Sequence, residues 1–196
     1  MGEGLPNKRV YYIPSKLPKS LIGYMKDYCD SLEYGEGEVF GSHDGPSVVR
    51  DHIRKSQVSW INFDEWIPSI MWGMVYSANE VYFKYDLRHF NGAIQSTVYN
   101  GESNSFYGWH VDGGTVDELN GVELERKLSI SLILSEPDEY EGGELQFSYY
   151  TKNHSTGKPP AGTAVVFPSW LPHRVRPVKS GVRRSLVAWI DGPLFK

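Results

Sequence analysis

The residues best suited to chemistry in this sequence are two histidines and an aspartate. His110 and Asp112 lie two positions apart, just before Gly113 and Gly114, and His173 follows 63 residues later. Positions i and i+2 of a β-strand point to the same face, so a strand that ends at the two glycines would aim an imidazole and a carboxylate at one point. Two histidines and one carboxylate can form a facial triad, a ligand set typical of non-haem Fe(II) that leaves the opposite face of the metal open.

A basic residue follows the second histidine at a spacing that suits an anion site. Arg183 comes ten residues after His173, and Ser185 lies two positions further along the same predicted strand. An arginine beside a hydroxyl can bind a carboxylate through charge-assisted hydrogen bonds. Strand alternation places Arg184 on the opposite face. The pattern therefore predicts a metal site next to a carboxylate-binding guanidinium, with open metal positions for a chelating co-substrate and O₂.

Two helices and a series of strands are predicted to position these residues. Apolar residues at helical spacing predict helices at Ser20–Leu32 and at about Glu65–Ala78, the second capped by Asp64. Val48–Trp60 is ambiguous. After about residue 91, short apolar stretches separated by turn residues are typical of an antiparallel sandwich or barrel. The predicted strands are Ala93–Tyr99, Leu128–Ser135, Glu144–Tyr150, Thr163–Pro168, His173–Val178 and Ser185–Asp191.

Composition and charge limit the class of protein. The chain has 196 residues, of which 40% are hydrophobic and 22% charged, which suits one domain with its own core. The net charge of −4 and the lack of a basic stripe argue against nucleic acid as a partner. The single cysteine, Cys29, excludes an internal disulfide and fits a cytoplasmic location. No apolar run approaches the roughly 20 residues that span a bilayer, so we expect no membrane association.

Seven short motifs follow one another in the second half of the chain. They are Tyr99–Gly101, Phe106–Asp112, Arg126–Ser129, Tyr140–Leu145, Gly162–Pro168, His173–Val178 and Gly181–Trp189. In order and spacing, the segment Gln95–Pro193 resembles the catalytic core of the Fe(II)/2-oxoglutarate-dependent dioxygenases. It is similar in particular to the prolyl 4-hydroxylase-like branch, which includes bacterial PKHD-type hydroxylases. The first half of the chain resembles this family only loosely.

The resemblance implies a role for each candidate site residue. It implies that His110, Asp112 and His173 bind Fe(II), with 2-oxoglutarate and O₂ as co-substrates and ascorbate as a possible further cofactor. By the same resemblance, Arg183 holds the distal carboxylate of 2-oxoglutarate and Ser185 supplies a second donor. Tyr99 matches a tyrosine that often reaches the co-substrate. The strand segment 131–134 carries no tyrosine for that purpose.

The resemblance also implies a fold, a domain plan and a reaction. The fold would be mainly β with N-terminal helices, a double-stranded β-helix of the jelly-roll or cupin-like kind. Residues 1–196 would form a single dioxygenase domain, with a helical support region at about 1–90 and a jelly-roll catalytic core at about 91–196. The reaction would be hydroxylation of an unactivated C–H bond, with a prolyl residue of a peptide or protein as the leading substrate. The alternatives are a free amino acid or other small molecule as substrate, or a non-catalytic jelly-roll binding module.

Two further expectations concern the surroundings of the metal. Apolar strand residues are expected to limit solvent access to it, and the candidates are Leu132, Leu134, Val166, Val187 and Trp189. Three loops are expected to form a lid or groove and to carry specificity. They are Tyr34–Ser47, Gly113–Glu125 and Thr151–Pro160.

Overall fold

Two larger antiparallel β-sheets, a small two-stranded sheet and two α-helices make up the computed structural model, which describes residues 9–39, 48–113, 116–119, 121–149 and 152–195. In chain order, the elements up to residue 83 are β1 (Tyr11–Ile13), α1 (Lys19–Asp30), β2 (Gly35–Glu36), β3 (Glu38–Val39), β4 (Val48–Val49), β5 (Arg54–Lys55), β6 (Gln57–Ile61), α2 (Ile67–Ala78) and a π-helical turn (Asn79–Phe83). The later elements are β7 (Ile94–Asn100), β8 (Phe106–His110), β9 (Val116–Leu119), β10 (Val122–Ile133), β11 (Tyr140–Gly142), β12 (Leu145–Tyr149), β13 (Lys152–Ser155), β14 (Ala164–Pro168), β15 (His173–Val175) and β16 (Val178–Pro193).

The larger sheet carries one wall of the candidate site. Its strands follow the order β1-β14-β10-β16-β7-β6-β2, with β9 added beside β10 and β11 beside β16. Every pairing in it is antiparallel. β16 is the longest strand, with 16 residues, and it pairs with β10 on one side and β7 on the other. The long central strands pair through a ladder of backbone hydrogen bonds, with one irregularity in β10 between Arg126 and Leu128.

The smaller sheet carries the opposite wall. It has the order β13-β12-β15-β8-β5, again with antiparallel pairings. Side chains from both sheets meet between them, as Phe147 of β12 packs edge-on against Phe167 of β14 with ring centroids 4.9 Å apart. The two sheets therefore form a sandwich whose interior contains both packed aromatic residues and the candidate site.

The outer face of the larger sheet is covered by the two α-helices. Met25 of α1 and Met71 and Val75 of α2 are fully buried in the same cluster as Leu128 and Ile130 of β10. The apolar stripes predicted for both helices are thus used for packing against a sheet. Among the helices that the structure describes, none is long and apolar enough to cross a membrane.

The element boundaries differ from the predicted ones in several places. The first helix spans Lys19–Asp30 rather than Ser20–Leu32, and the second begins at Ile67, with no side-chain capping bond, so the predicted cap by Asp64 is wrong. Pro68 lies in the first turn of this second helix, where a backbone N–H has no hydrogen-bond acceptor within the helix. The N–H that proline lacks is therefore not missed there. The ambiguous segment 48–60 contains β4, β5 and most of β6.

The first ninety residues therefore contribute sheet strands as well as helices. β6 pairs with β7 in the larger sheet, and β5 pairs with β8 in the smaller one. The single strand predicted at His173–Val178 is instead split into β15 and the start of β16, which belong to different sheets. Residues 176–177, which include Pro177, lie between them, and a proline cannot donate a ladder hydrogen bond.

Candidate active site

The three predicted metal ligands meet at one point between the sheets. His110 ends β8 and His173 begins β15, and the two residues are register partners, with ring centroids 4.1 Å apart. Asp112 lies between them, since its two carboxylate oxygens are 3.5 Å from His110 Nε2 and 3.4 Å from His173 Nε2. One ligand atom from each residue lies within 4.8 Å of the others. This spacing allows all three to reach a single ion.

Asp112 is positioned differently from the way that strand alternation predicts. β8 ends at His110, so the expectation that the strand continues to Gly113 is wrong. The backbone N–H groups of Asp112 and Gly113 instead both donate to the carbonyl of Ser169, at 2.9 Å. The hydroxyl of Ser129 donates to Asp112 Oδ2 at 2.8 Å and lies 3.0 Å from the Ser169 hydroxyl. A turn held by these contacts, rather than a strand, directs the carboxylate toward the histidines.

Both imidazoles are held in the tautomer that a metal requires. His110 Nδ1 donates to the carbonyl of Gly108 at 2.8 Å, and His173 Nδ1 donates to the carbonyl of Leu171 at 2.9 Å. Because Nδ1 carries the proton, Nε2 has a free lone pair in a neutral ring, and both Nε2 atoms face Asp112. Two such nitrogens and one carboxylate are the donor set of a facial Fe(II) site, and the residues present therefore fit this metal.

The electrostatics of the three groups are strongly coupled. Burial alone would raise the pKa of Asp112, but His173 and His110 together hold it well below its ordinary value. Burial, with a contribution from His173, lowers the pKa of His110. The pKa of His173 is raised, because the attraction of Asp112 outweighs the effect of burial. An ionised carboxylate in a buried position is the ligand type that attracts a divalent cation.

The triad lines a cavity of about 860 Å³ between the sheets, a size that can hold small co-substrates and part of a larger ligand. All six predicted site residues lie on its wall: Tyr99, His110, Asp112, His173, Arg183 and Ser185. Of the five apolar residues predicted to enclose the metal, Val187 and Trp189 line this cavity. The prediction is wrong for Leu132, Leu134 and Val166, which are buried in the cluster beneath the helices.

Arg183 is buried on the inner face of β16, with 2% of its surface exposed. Its Nη1 donates to the Ser185 hydroxyl at 3.1 Å, and its guanidinium carbon lies 5.4 Å from the centre of the Tyr99 ring. The Tyr140 hydroxyl also hydrogen-bonds to Arg183, a contact that helps to offset the rise that burial produces in the tyrosine's pKa. Within the described residues, the groups around this cation are neutral hydroxyls and rings, and Arg183 forms no ion pair with a carboxylate.

Sequence reasoning quoted Tyr140 only as part of the Tyr140–Leu145 motif and gave it no role. It is only 4% exposed. The pair Gly142-Gly143 was the available signal, because both glycines have positive φ and a Cβ on Gly143 would lie 3.0 Å from Arg183 Cδ. This close approach shows that the backbone at Gly143 packs directly on the Arg183 side chain.

A second group of residues lies on the triad's side of the cavity. The Tyr107 ring stacks on His110 at 3.6 Å, and burial raises the pKa of this tyrosine to about 12 against the opposing effect of Arg54. Arg126 donates to the carbonyl of Asp112 at 3.2 Å, and its guanidinium carbon lies 4.5 Å from the centre of the Trp189 ring. Sequence reasoning quoted Tyr107 and Arg126 only as parts of motifs and gave them no role.

Comparison with known proteins agrees with this geometry. Residues 94–191 match the profile of the 2OG-Fe(II) oxygenase superfamily. The chain belongs to this superfamily. The assignment made from the sequence motifs is therefore confirmed, and the metal and co-substrate in the family's name are those that the triad and the buried guanidinium fit.

The relatives include bacterial hydroxylases. The chain is 46% identical over 85 residues to a PKHD-type hydroxylase of Stenotrophomonas maltophilia (strain R551-3), an alignment that covers 43% of this chain and 37% of that protein. The chain thus matches well under half of that relative's length. It is 26% identical over 183 residues to the PKHD-type hydroxylase YbiX of Escherichia coli O81 (strain ED1a), covering 93% of this chain and 78% of YbiX.

A solved structure supports the fold. The crystal structure of a Pseudomonas putida prolyl-4-hydroxylase superposes with a TM-score of 0.68 at 23% identity, covering 94% of this chain and 92% of that one. The predicted mainly β jelly roll with N-terminal helices is therefore confirmed. Of the three loops predicted to carry specificity, residues 40–47, 114–115, 120 and 151 lie outside the described residues.

Proposed function

We propose that this chain is an Fe(II)- and 2-oxoglutarate-dependent dioxygenase that hydroxylates an unactivated C–H bond. The observation that carries the proposal is the presence of a two-histidine, one-carboxylate triad and a buried guanidinium on the wall of one cavity. The triad would supply three protein ligands to the metal, and the cavity that it lines has room for further ligands. The guanidinium supplies a site for the far end of a dicarboxylic co-substrate.

Each site residue has a distinct task in this proposal. His110, Asp112 and His173 hold Fe(II) through Nε2, a carboxylate oxygen and Nε2. Arg183 binds the distal carboxylate of 2-oxoglutarate, and the hydroxyls of Ser185 and Tyr99 complete that site. When bound, the iron and 2-oxoglutarate supply oxidative decarboxylation to succinate and CO₂ together with transfer of one oxygen atom of O₂ to the substrate.

The remaining walls control water and orientation. Phe167 and Leu145 are almost fully buried and line the cavity beside the triad, where they exclude water from the metal. Tyr107, whose ring contacts both His110 and Arg54, and Trp189, beside Arg126, also line the cavity. Aromatic side chains on the wall favour an apolar substrate group.

A prolyl residue in a peptide or protein is the leading substrate. Its pyrrolidine ring is compact and apolar, and it would pack against the aromatic wall formed by Tyr107 and Trp189. The similarity to proteins described as a prolyl-4-hydroxylase and as PKHD-type hydroxylases supports this choice. Free proline is the small-molecule alternative, and ascorbate is expected to support turnover.

We also infer that residues 1–196 act as one catalytic domain in the cytoplasm. The packing of α1 and α2 on the larger sheet, and the pairing of β6 with β7, support a single unit in which the region before residue 91 stabilises the core. The single cysteine, buried Cys29, supports a reducing location.

The direct test is succinate formation by protein loaded anaerobically with Fe(II), then given 2-oxoglutarate and O₂. We expect wild type to form succinate and His110→Ala to form none. Mass spectrometry of proline-containing peptides should then show one added oxygen, and parallel turnover with free proline separates the two substrate classes. Absence of succinate from iron-loaded wild type, or equal amounts from His110→Ala, would leave the chain a non-catalytic binding module.

A further inference from the structure

Arg54 is a second buried guanidinium on the wall of the same cavity, and the proposed chemistry does not use it. The residue is 5% exposed. Its Nε donates to the Ser56 hydroxyl at 2.8 Å and its Nη1 donates to the carbonyl of Glu38 at 3.0 Å. Its Nη2 is buried and has no hydrogen-bond partner among the described residues. Arg54 thus retains an unused donor at the wall of a ligand cavity.

The positive charge of Arg54 also lacks a counterion within the described part of the chain. Its two hydrogen-bond acceptors are a hydroxyl and a peptide carbonyl, both neutral. Besides Asp112, three acidic residues line the cavity, Glu33, Glu36 and Glu38, but among the described residues none of these four forms an ion pair with this guanidinium. A buried charge that is hydrogen-bonded but not paired is unfavourable, and an anion brought by a ligand removes that penalty.

The other cations of the cavity already have their negative partners. Arg126 lies in the field of Asp112 and Asp191, which both oppose the effect of burial on its pKa. Arg183 receives the distal carboxylate of 2-oxoglutarate in the proposed function. Arg54 is therefore the cation that still lacks an anion when both co-substrate and metal are bound.

The position of Arg54 relates it to the substrate side of the cavity. Its guanidinium carbon lies 4.7 Å from the centre of the Tyr107 ring, and Tyr107 stacks on His110 at 3.6 Å. One aromatic ring therefore separates Arg54 from a metal ligand. A substrate whose reacting carbon lies at the metal can extend past this ring toward the Arg54 guanidinium.

We propose that the substrate carries a carboxylate that binds Arg54, on the substrate side of the cavity. The inference rests on the proposed function and makes it more specific, since it assigns an anionic substrate class and a specificity-determining residue. The carboxylate can belong to an acidic residue next to the target proline in a peptide or to a free amino acid. Both sources present the same group to the same donor.

The local backbone holds Arg54 ready for such a ligand. Gly37 passes directly over the side chain, so that a Cβ there would lie 2.6 Å from Arg54 Nε and 2.5 Å from the Ser56 hydroxyl. With Nε and Nη1 fixed by Ser56 and Glu38, the guanidinium plane has little freedom. A pre-ordered donor loses less entropy when it binds an anion than an exposed arginine does.

The test measures binding of matched probes to the anaerobic Fe(II)–2-oxoglutarate complex of the full chain by calorimetry. One set of probes consists of capped peptides with a central proline and one aspartate. The aspartate is placed in turn at each of the two positions before the proline and each of the two positions after it, and every peptide is paired with its asparagine counterpart. The other pair is L-proline and L-prolinamide. In at least one pair we expect the carboxylate probe to bind wild type about tenfold or more tightly than its amide. The pair that responds identifies the source of the carboxylate.

Arg54→Gln should reduce that ratio to about one, and Arg54→Lys should give an intermediate ratio because it keeps the charge but not the fork of donors. Arg50→Gln is the matched control, since Arg50 is exposed on the same segment, and it should keep the wild-type ratio. Circular dichroism establishes that each variant folds. Should Arg54→Gln not fold, the ratio for Arg54→Lys must still fall below that of wild type.

The inference is overturned if wild type prefers the carboxylate in no pair, or if Arg54→Gln keeps the preference. Its failure is distinguishable from failure of the proposed function. Wild type that forms succinate from 2-oxoglutarate but shows no carboxylate preference contradicts only the role of Arg54. Wild type that forms no succinate contradicts the proposed function itself.

Discussion

Replacing Arg183 with glutamine should remove 2-oxoglutarate binding without damaging the fold. Arg183 is 2% exposed and is surrounded by the neutral groups of Ser185, Tyr99 and Tyr140. The substitution removes a buried charge that has no carboxylate partner among the described residues, so the unliganded protein should lose little stability. The co-substrate, in contrast, loses the cation that faces its distal carboxylate.

The size of the effect follows from the contacts that a guanidinium can make. A carboxylate held by two charge-assisted hydrogen bonds, each contributing about 1.5–3 kcal/mol, loses roughly 3–6 kcal/mol when the guanidinium is removed. This corresponds to an increase of about two to four orders of magnitude in the Kd for 2-oxoglutarate. A ligand present at 100 times its Kd stabilises the folded state by about 2.7 kcal/mol, and nearly all of this stabilisation should be lost in Arg183→Gln.

The assay is thermal unfolding of the anaerobic Fe(II) protein, with and without 2-oxoglutarate. Arg184→Gln is the matched control, because its neighbour Arg184 points to the other face of β16 and pairs with Asp30 at 2.7 Å near the surface. This variant should respond to 2-oxoglutarate as wild type does. Equal stabilisation of Arg183→Gln and wild type by 2-oxoglutarate would refute the assignment of Arg183 as the carboxylate site.

Three further predictions follow from single contacts. Ser129→Ala removes the hydroxyl that donates to Asp112 and should lower Fe(II) affinity about 10- to 100-fold in a competition titration with a chelator; unchanged affinity would show that the hydroxyl does not orient the carboxylate. Tyr99→Phe should raise the KM for 2-oxoglutarate about fivefold in initial-rate assays, and no rise would remove Tyr99 from that site. Met71→Ala opens a cavity between α2 and the larger sheet and should lower the free energy of unfolding by about 2–5 kcal/mol in denaturant titrations, while the KM for 2-oxoglutarate stays unchanged. A raised KM for 2-oxoglutarate would mean that the helices also shape the site.

Much of the candidate site could be predicted from the sequence, because short-range rules determine where most of its residues lie. Alternation along one strand is enough to separate Arg183, which faces the cavity, from Arg184, which faces α1. His110 and His173 lie in the extended segments β8 and β15, and the antiparallel register of these two strands places the histidines side by side. Asp112 was placed correctly for a different reason from the one predicted, since a turn fixed by Ser169 directs it.

The faces of the central strands were harder to assign. β10 is buried on both sides, so apolar periodicity does not show which side faces the metal. The large side chains Leu128, Ile130 and Leu132 pack beneath the helices, whereas Ser129 and Ser131 face the cavity side. A site that must leave room for ligands takes the small residues of a strand, and this preference would have corrected the assignment of Leu132.

The roles of Arg54 and Tyr140 depend on contacts between segments far apart in the chain. Arg54 lies in a two-residue strand that pairs with β8, and nothing in its own neighbourhood indicates that it reaches a cavity. Tyr140 begins the short strand β11, and its packing beside Arg183 depends on the close approach that Gly142 and Gly143 allow. Such tertiary placement is not encoded in local periodicity.

The most direct test of the account is the iron content of the protein after anaerobic incubation with Fe(II) and removal of the unbound metal. The account predicts about one iron per chain for wild type and for His52→Ala, since His52 is exposed and lies away from the cavity. It predicts almost none for His110→Ala and for His173→Ala. Stoichiometric iron in His173→Ala, or none in wild type, would contradict the claim that these three side chains form the metal site.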